Sequence, residues 1–197
     1  MSTHFLETLN KGQLLDGMGE IIKYGLIKDE ALLQFIETNY NKILEIEKEK
    51  VLYIIKQCLI IKSDVIAKDY KDNGLRNILN FGHTIGHGIE IDSNYKVTHG
   101  IAVAMGMLTA LKLSEEKLKL SSNVYNNIEN LYKKLGIEIR YKVDNYSSFL
   151  YAIRHDKKNV NNMNFVLLEG IGSCRIKVPV SEDEILLAVQ NSISRED

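Results

Sequence analysis

Three histidines lie close together near the middle of the chain, at His83, His87 and His99. His83 and His87 are four residues apart, so a helix would place both imidazoles on one face, one turn apart. His99 directly precedes Gly100 at the predicted start of the next helix, from which a side chain can point back at a neighbouring helix. Imidazoles are common ligands of Zn²⁺. An HxxxH pair alone is a weak sign of a metal, because such histidines are more often satisfied by backbone groups.

The residues around the first two histidines favour a special site. Gly82, Gly86 and Gly88 stand inside a helical pattern, where each glycine costs up to about 1 kcal/mol. That cost suggests a close backbone approach or access for a ligand. Glu20 is a candidate carboxylate, because it lies in an apolar helical stretch where a buried carboxylate would need a cation or a metal. On a solvated helix face it would need neither, and Lys23 falls on the same face.

The elements that must position these residues are predicted to be mostly helical. Apolar residues recur at helical spacing, and the single proline, Pro179, suits a chain of long helices. Two short β-type runs, residues 164–168 and 174–178, flank a glycine-containing turn and predict one hairpin. The predicted helices cover residues 12–27, 29–40, 43–67 with one break allowed, 75–91, 100–119, 123–135, 147–154 and 181–193. The expected fold is therefore one mostly α domain over residues 1–197, with a small β-hairpin near the C-terminus.

Composition and charge exclude several classes of function. Apolar residues make up 45% and charged residues 26% of the chain, and its net charge is −1, with lysines and acids interleaved. This pattern predicts no nucleic-acid partner and no membrane surface, and no apolar run approaches the roughly 20 residues that span a bilayer. The N-terminus lacks a secretory pattern, and Cys58 and Cys174 form no CxxC pair, so reduced thiols and a cytoplasmic location are expected. The one glycine-rich candidate for a dinucleotide site, residues 17–19, lies in a helical stretch with no strand before it.

Four segments, in a consistent order, carry a resemblance to a known family. They read GMGEIIKYGLI at residues 17–27, GLRNILNFGHTIGH at 74–87, HGIAVAMGM at 99–107, and DKK at 156–158 followed by FVLL at 165–168 and GIG at 170–172. In these segments the chain resembles the C-terminal helical domain of 3-dehydroquinate synthase, a sugar-phosphate cyclase. The resemblance covers almost the whole chain.

The resemblance implies a metal site different from the one that spacing alone favours. It implies Zn²⁺, or Co²⁺, held by Glu20, His83 and His99, whereas His87 would face the substrate or its phosphate. Lys62 by itself would be interpreted as a solvated helix lysine, and only the resemblance gives it a role. The residues that the resemblance places along the substrate site are Lys23, Lys62, Arg76, Asn80, His87 and one lysine of the adjacent pair, taken here as Lys157.

The resemblance also implies a reaction, that of a carbon–oxygen lyase. In it, 3-deoxy-arabino-heptulosonate 7-phosphate is oxidised by NAD at one hydroxyl, loses phosphate, is reduced again and closes to 3-dehydroquinate in the shikimate pathway. NAD returns unchanged. Family enzymes carry an N-terminal α/β domain for NAD, which we expect to be absent here, so this chain alone is expected to be inactive. The expected partners are a small sugar phosphate, a second copy in a homodimer, and a separate NAD-binding chain.

Some positions depart from the family pattern and leave specificity open. Gly19 and Gly88 stand where the family usually has alanine, Ile101 where it often has glutamate, and Tyr70 at a usually acidic position. The alternative enzymes are cyclases of the deoxy-inosose or valiolone type and, more distantly, iron-type alcohol dehydrogenases. From a different class, the chain would be a non-catalytic metal-binding or assembly module. Without the N-terminal domain of the family, the chain is expected to be a truncated protein, one half of a split enzyme, or a degenerate relative.

Overall fold

Helices dominate the described part of the chain, and they confirm the predicted fold class. The computed structural model describes residues 4–71, 74–155 and 163–194. Short 3-10 helices cover His4–Thr8 and Leu75–Asn80. The α-helices are α1 (Lys11–Lys28), α2 (Glu30–Leu44), α3 (Lys48–Lys68), α4 (His83–Asp92), α5 (His99–Leu118), α6 (Ser122–Leu135), α7 (Tyr146–His155) and α8 (Glu182–Ser192), and the two strands are β1 (Met163–Gly170) and β2 (Ser173–Val180). None of these described helices is long and apolar enough to cross a membrane.

The prediction of one continuous helix over residues 75–91 is wrong. The segment begins as the 3-10 helix, turns at Phe81 and Gly82, and becomes α4 only at His83. Gly82 has a φ of +81°, a left-handed conformation that glycine adopts without a steric penalty and that ends a right-handed helix. His83 is therefore the first residue of its helix.

The allowed break in the predicted helix over residues 43–67 is confirmed. α2 ends at Leu44 and α3 begins at Lys48, because Ile46 between them has a φ of 58°. Three of the helices also have well-formed caps. Asp29 accepts a hydrogen bond from the Leu32 amide, Ser181 and Glu184 form a capping box, and Gly136 ends α6 in the left-handed conformation.

Helix α5 forms the centre of the core. Every residue from Ala102 to Leu111 is buried, which is typical of a helix that is apolar on all sides and surrounded by other elements. α1, α4, α6, α8 and β1 all pack on it. The histidines of α4 and the N-terminus of α5 are thus fixed to the part of the molecule that is hardest to deform.

The hairpin covers one side of this core. β1 and β2 pair antiparallel, from Met163 opposite Val180 to Gly170 opposite Ser173, so both predicted strands are confirmed and extend slightly further. The Leu168 amide donates to Ser114 Oγ on α5 over 2.9 Å. At the turn, the Gly172 amide donates to the Leu26 carbonyl over 2.8 Å, which holds the hairpin against the end of α1.

A close backbone approach joins α4 to α5. A Cβ atom on Gly106 would lie 2.0 Å from the Gly82 carbonyl oxygen and 2.8 Å from the Gly86 amide nitrogen. Such distances are far below van der Waals contact and involve backbone atoms that cannot rotate away. Because residue 106 is a glycine, α4 can pack this closely against α5.

We predict that Gly106→Ala destabilises the protein by roughly 2 kcal/mol or more, because α4 must move away from α5. The measurement is urea unfolding followed by circular dichroism. Gly17→Ala is the matched control: a Cβ at Gly17 meets nothing within 4 Å, so alanine should leave stability unchanged or raise it by up to about 1 kcal/mol. Equal stabilities of the two variants would contradict the role given to this contact.

Candidate metal centre

Three helices bring the predicted metal-binding residues together. Glu20 lies on α1, His83 opens α4, and His99 opens α5. One donor atom from each of these side chains lies within 4.8 Å of the other two. Glu20 Oε1 is 3.2 Å from His83 Nε2 and 3.7 Å from His99 Nε2. For comparison, ligands about 2.0–2.1 Å from a tetrahedral Zn²⁺ lie about 3.4 Å from one another, so the donor spacing fits such an ion.

The Glu20 carboxylate has two oxygens in different environments. Oε2 accepts a hydrogen bond from Lys23 Nζ over 2.6 Å. Oε1 is buried and has no hydrogen bond of acceptable geometry, although the side chain as a whole is 31% exposed. A buried carboxylate oxygen without a hydrogen-bond donor is costly unless a cation faces it. Oε1 lacks a hydrogen-bond donor and faces two imidazole nitrogens, as expected of a carboxylate oxygen that binds a metal ion.

The charges of Glu20 and of the buried Lys23 stabilise each other, and the Glu20 carboxylate stays ionised. Burial alone would raise the pKa of the Glu20 carboxyl, but the adjacent His83 ring and the Lys23 ammonium lower it to about 2. Lys23 is only 3% exposed, and burial lowers its pKa against the opposing attraction of Glu20. The pair therefore supplies an anionic oxygen at neutral pH, which is the state that binds a metal.

Hydrogen bonds on the far side of two imidazoles orient their rings. His83 Nδ1 lies 3.2 Å from the Phe81 carbonyl oxygen, and His99 Nδ1 lies 3.2 Å from a Glu90 carboxylate oxygen. When Nδ1 carries the proton, Nε2 is left with its lone pair, and in both residues Nε2 is the nitrogen near Glu20. This is the arrangement by which proteins prepare histidines as metal ligands.

The sequence interpretation did not identify Glu90. A signal was present, because Glu90 follows His87 by three residues and His83 by seven, which places all three on one face of α4. What the sequence lacked was the position of His99, which belongs to another helix. Only the packing of α4 on α5 brings His99 and Glu90 into contact.

His87 belongs to the same cluster but to another donor group. Its ring centroid lies 5.7 Å from that of His83 and 6.1 Å from that of His99. With Glu90 and His99 it forms a second set whose donor atoms lie within 4.8 Å of one another. His83 and His87, the pair favoured by spacing, thus lie on one face of α4 as predicted. The first donor set, however, combines His83 with Glu20 and His99.

The other predicted substrate residues lie on neighbouring elements. Lys62 is exposed on α3, near enough to Lys23 for its charge to lower the Lys23 pKa further. Arg76 and Asn80 lie on the 3-10 helix that leads into α4, and the Arg76 amide donates to Asp69 Oδ2 over 2.9 Å. Lys157 lies outside the described residues.

A groove of about 520 Å³ runs beside the cluster, between α4 and α7. The groove is lined by His87, Glu90, Ile91, Tyr95, Ser148, Tyr151 and Ala152. His99 is 45% exposed, so the histidine cluster is open on one side. A centre with three protein ligands and an accessible side is the arrangement of catalytic rather than structural zinc sites.

Asp92, the last residue of α4, fixes the far end of the histidine helix. Its carboxylate accepts hydrogen bonds from the Tyr141 hydroxyl over 2.6 Å, from the Asp144 amide over 3.0 Å and from the Asn145 amide over 3.3 Å. Asp92 is itself buried, and the three bonds are partly shielded from water. They hold α4 to the segment that enters α7.

The matching family model and two similar sequences all carry the name 3-dehydroquinate synthase. The family model described as 3-dehydroquinate synthase C-terminal matches residues 17–159. The 3-dehydroquinate synthase of Clostridium tetani is 56% identical over 194 residues, covering 98% of this chain and 52% of that protein. The enzyme of the same name from Thermoanaerobacter pseudethanolicus is 40% identical, covering 94% of this chain and 52% of that protein. The chain therefore spans about half the length of these relatives.

Two solved structures share the fold at lower identity. One is the 2-epi-5-epi-valiolone synthase of Streptomyces hygroscopicus with NAD⁺ and Zn²⁺ bound, with a TM-score of 0.85 and 21% identity, covering 96% of this chain and 54% of that one. Another is a 2-deoxy-scyllo-inosose synthase with carbaglucose-6-phosphate, NAD⁺ and Co²⁺, with a TM-score of 0.84 and 24% identity, covering 97% of this chain and 55% of that one. At these identities the likeness shows the fold.

We predict that Asp92→Ala destabilises the protein by about 3 kcal/mol, because it removes the charged acceptor that three hydrogen bonds share. Tyr141→Phe, which removes one of the three bonds, should cost about 1 kcal/mol. Tyr146→Phe serves as the control, because Tyr146 is 45% exposed and its substitution should change the free energy of unfolding only slightly. Thermal unfolding of the three variants provides the comparison, and a Tyr141→Phe no less stable than the control would contradict the network.

Proposed function

The chain belongs to the 3-dehydroquinate synthase family, and from this membership we propose that it is the metal- and substrate-binding half of a 3-dehydroquinate synthase. The proposed reaction is the NAD-dependent cyclisation of 3-deoxy-arabino-heptulosonate 7-phosphate to 3-dehydroquinate with elimination of phosphate. One observation carries the proposal: the buried, unpaired Oε1 of Glu20 faces Nε2 of His83 and Nε2 of His99. These three donors fit a divalent metal ion.

Zn²⁺, or Co²⁺, is the proposed ion, held by Glu20, His83 and His99. Two imidazoles and a carboxylate are donors that both ions accept, and the two solved structures with this fold contain Zn²⁺ and Co²⁺, respectively. When bound, the metal would supply Lewis acidity toward a substrate carbonyl and fix adjacent hydroxyl oxygens.

The surrounding residues prepare the ligands. Lys23 holds Oε2 of Glu20 and thereby directs Oε1 toward the histidines. Its ammonium has three N–H donors, so donors remain for a substrate oxygen. Glu90 holds Nδ1 of His99, which keeps the Nε2 lone pair free. A site fixed in this way loses little orientation entropy when the substrate arrives.

The substrate is proposed to lie between the histidine cluster and the 3-10 helix. Arg76 would bind a carboxylate or phosphate through its planar guanidinium, Lys62 and Lys157 would add charge, and Asn80 would bind hydroxyl groups. His87 faces the groove beside the ligand set and is proposed to contact the substrate or its phosphate.

NAD contacts are proposed to come mainly from residues outside these 197. Strands in the described part form a two-stranded antiparallel hairpin, whereas the dinucleotide fold needs parallel strands and a glycine-rich turn before a helix. The chain also spans about half the length of its relatives. An α/β domain, on the same polypeptide or on a separate chain, and a homodimeric assembly complete the proposal.

The sequence comparisons favour this branch over its rivals. Relatives at 56% and 40% identity are both named 3-dehydroquinate synthase, whereas the valiolone and deoxy-inosose enzymes are 21% and 24% identical. A non-catalytic metal-binding or assembly module is the remaining alternative from another class. An assembly module without a metal would gain nothing from a buried carboxylate directed at two imidazoles, which is costly to maintain.

We predict about one zinc per chain by elemental mass spectrometry after incubation with zinc and removal of excess metal. Glu20→Ala and His83→Ala should each weaken zinc binding by more than roughly 100-fold, since each removes a direct ligand and outer residues alone account for 10- to 100-fold. His87→Ala should keep the zinc, which separates the proposed ligand set from the pair favoured by spacing. Glu37→Ala, at an exposed carboxylate on α2, is the control.

Retention of zinc by Glu20→Ala together with its loss in His87→Ala would contradict this ligand set. It would favour the second group of His87, Glu90 and His99. Absence of zinc from the unsubstituted chain would contradict the metal-binding function of the chain as it stands.

We also predict that this chain, given the heptulosonate phosphate, NAD and zinc, releases no phosphate above the enzyme-free rate. The oxidation that acidifies the neighbouring proton requires bound NAD, and the described part of the chain offers no dinucleotide fold. A phosphate-release assay tests this, with a complete 3-dehydroquinate synthase as positive control. Steady release by the chain alone would show that it binds NAD itself.

A further inference from the structure

Helix α5 receives its N-terminal cap from another helix. Its own capping residue, Thr98, makes no side-chain hydrogen bond to the helix, so the first amide groups need another acceptor. Asp16, 84 residues earlier on α1, provides it. Asp16 Oδ1 accepts from the Gly100 amide over 2.7 Å and from the Ile101 amide over 3.1 Å.

The two helices touch through their backbones at this point. A Cβ atom on Gly100 would lie 1.8 Å from the Asp16 carbonyl oxygen, and one on Gly19 would lie 2.0 Å from the Gly100 carbonyl oxygen. The absence of both Cβ atoms lets the start of α5 lie directly on α1. The Asp16 carboxylate then closes the contact with two hydrogen bonds and with a negative charge at the positive end of the helix dipole.

This contact lies beside the candidate metal centre. Asp16 and Glu20 are four residues apart on α1 and share a face. The amide that Asp16 binds most closely, that of Gly100, adjoins His99, whose Nε2 is 3.7 Å from Glu20 Oε1. One face of α1 therefore holds the backbone next to His99 and also supplies the carboxylate that the same histidine faces.

We propose that Asp16 is a positioning residue for the metal centre: by capping α5 from α1, it fixes the backbone of His99 at ligand distance from Glu20. The proposal rests on the proposed metal-binding function. Asp16 acts separately from Glu90, because Glu90 orients the His99 ring through Nδ1 whereas Asp16 fixes the main chain that carries it. Without Asp16, His99, which is 45% exposed, would have a less restricted backbone.

The test separates positioning from ordinary helix stabilisation. Zinc affinity is measured by competition with a chromophoric chelator, and the visible absorption of Co²⁺ in the same proteins reports the geometry of the ligands. Asp16→Ala should lower zinc affinity by about 10-fold or more, as expected for loss of a residue that orients a ligand. Asp16→Asn should restore most of the affinity, since its amide oxygen accepts the same two bonds.

Ser181→Ala is the matched control. It removes a helix cap of the same kind from α8, where Ser181 and Glu184 form the capping box, and α8 packs on α5. It should lower thermal stability yet leave zinc affinity and the Co²⁺ spectrum unchanged. A purely structural role for Asp16 predicts that both alanine variants behave alike.

Failure of the positioning role and failure of the proposed metal-binding function give different results. If the unsubstituted chain binds zinc and Asp16→Ala binds it equally well, the positioning role is wrong while the metal-binding function stands. If the unsubstituted chain binds no zinc, the proposed function fails and this inference with it. Should Asp16→Ala not fold, Asp16→Glu keeps the charge but moves the acceptor by one methylene. It should bind zinc more weakly than Asp16→Asn, and equal affinities of these two would overturn the proposal.

Discussion

The burial of one carboxylate oxygen, Glu20 Oε1, is the constraint around which the centre of this molecule is arranged. An anionic oxygen shielded from water is stable only beside positive charge or a strong donor. Lys23 meets part of this need through the other oxygen of the same carboxylate. The remainder falls to whatever lies between Glu20, His83 and His99, which is why the proposed metal belongs at that point.

Placing these three side chains within ligand distance requires helices that approach one another unusually closely. The contacts of Gly106 with Gly82 and of Gly19 with Gly100 bring backbone directly against backbone. The first sets the position of α4 on the core helix α5, and the second sets the start of α5 on α1. The conformational cost of glycine within helices is thus offset by a geometry that larger residues would prevent.

The centre combines rigidity with access. α5 is buried along most of its length, and Asp92 ties the far end of α4 to the entry of α7, so the ligands sit on fixed elements. The groove along His87 and Glu90 is open. In the proposed enzyme the sugar phosphate would lie between the histidine cluster and the 3-10 helix, and the NAD-binding part would complete the site.

Most of the helices, the hairpin and the family could be predicted from the sequence itself. Helical periodicity located α1, α2 and α5 to α8 within a few residues, and alternating β-type runs located the hairpin, because these signals depend only on neighbours along the chain. The family was identified from ordered motifs, and with it came the expected set of Glu20, His83 and His99.

Other features depended on the tertiary structure. Spacing favours His83 with His87, because both lie on one helix, whereas the sets completed by Glu20 and His99 form only when α1, α4 and α5 pack together. The break at Gly82 follows from a positive φ that a helical pattern does not reveal. Glu90 and Asp16 acquire their roles from residues 9 and 84 positions away. Local patterns determine which helices form, but the distances between side chains on different helices are decided by how closely those helices pack.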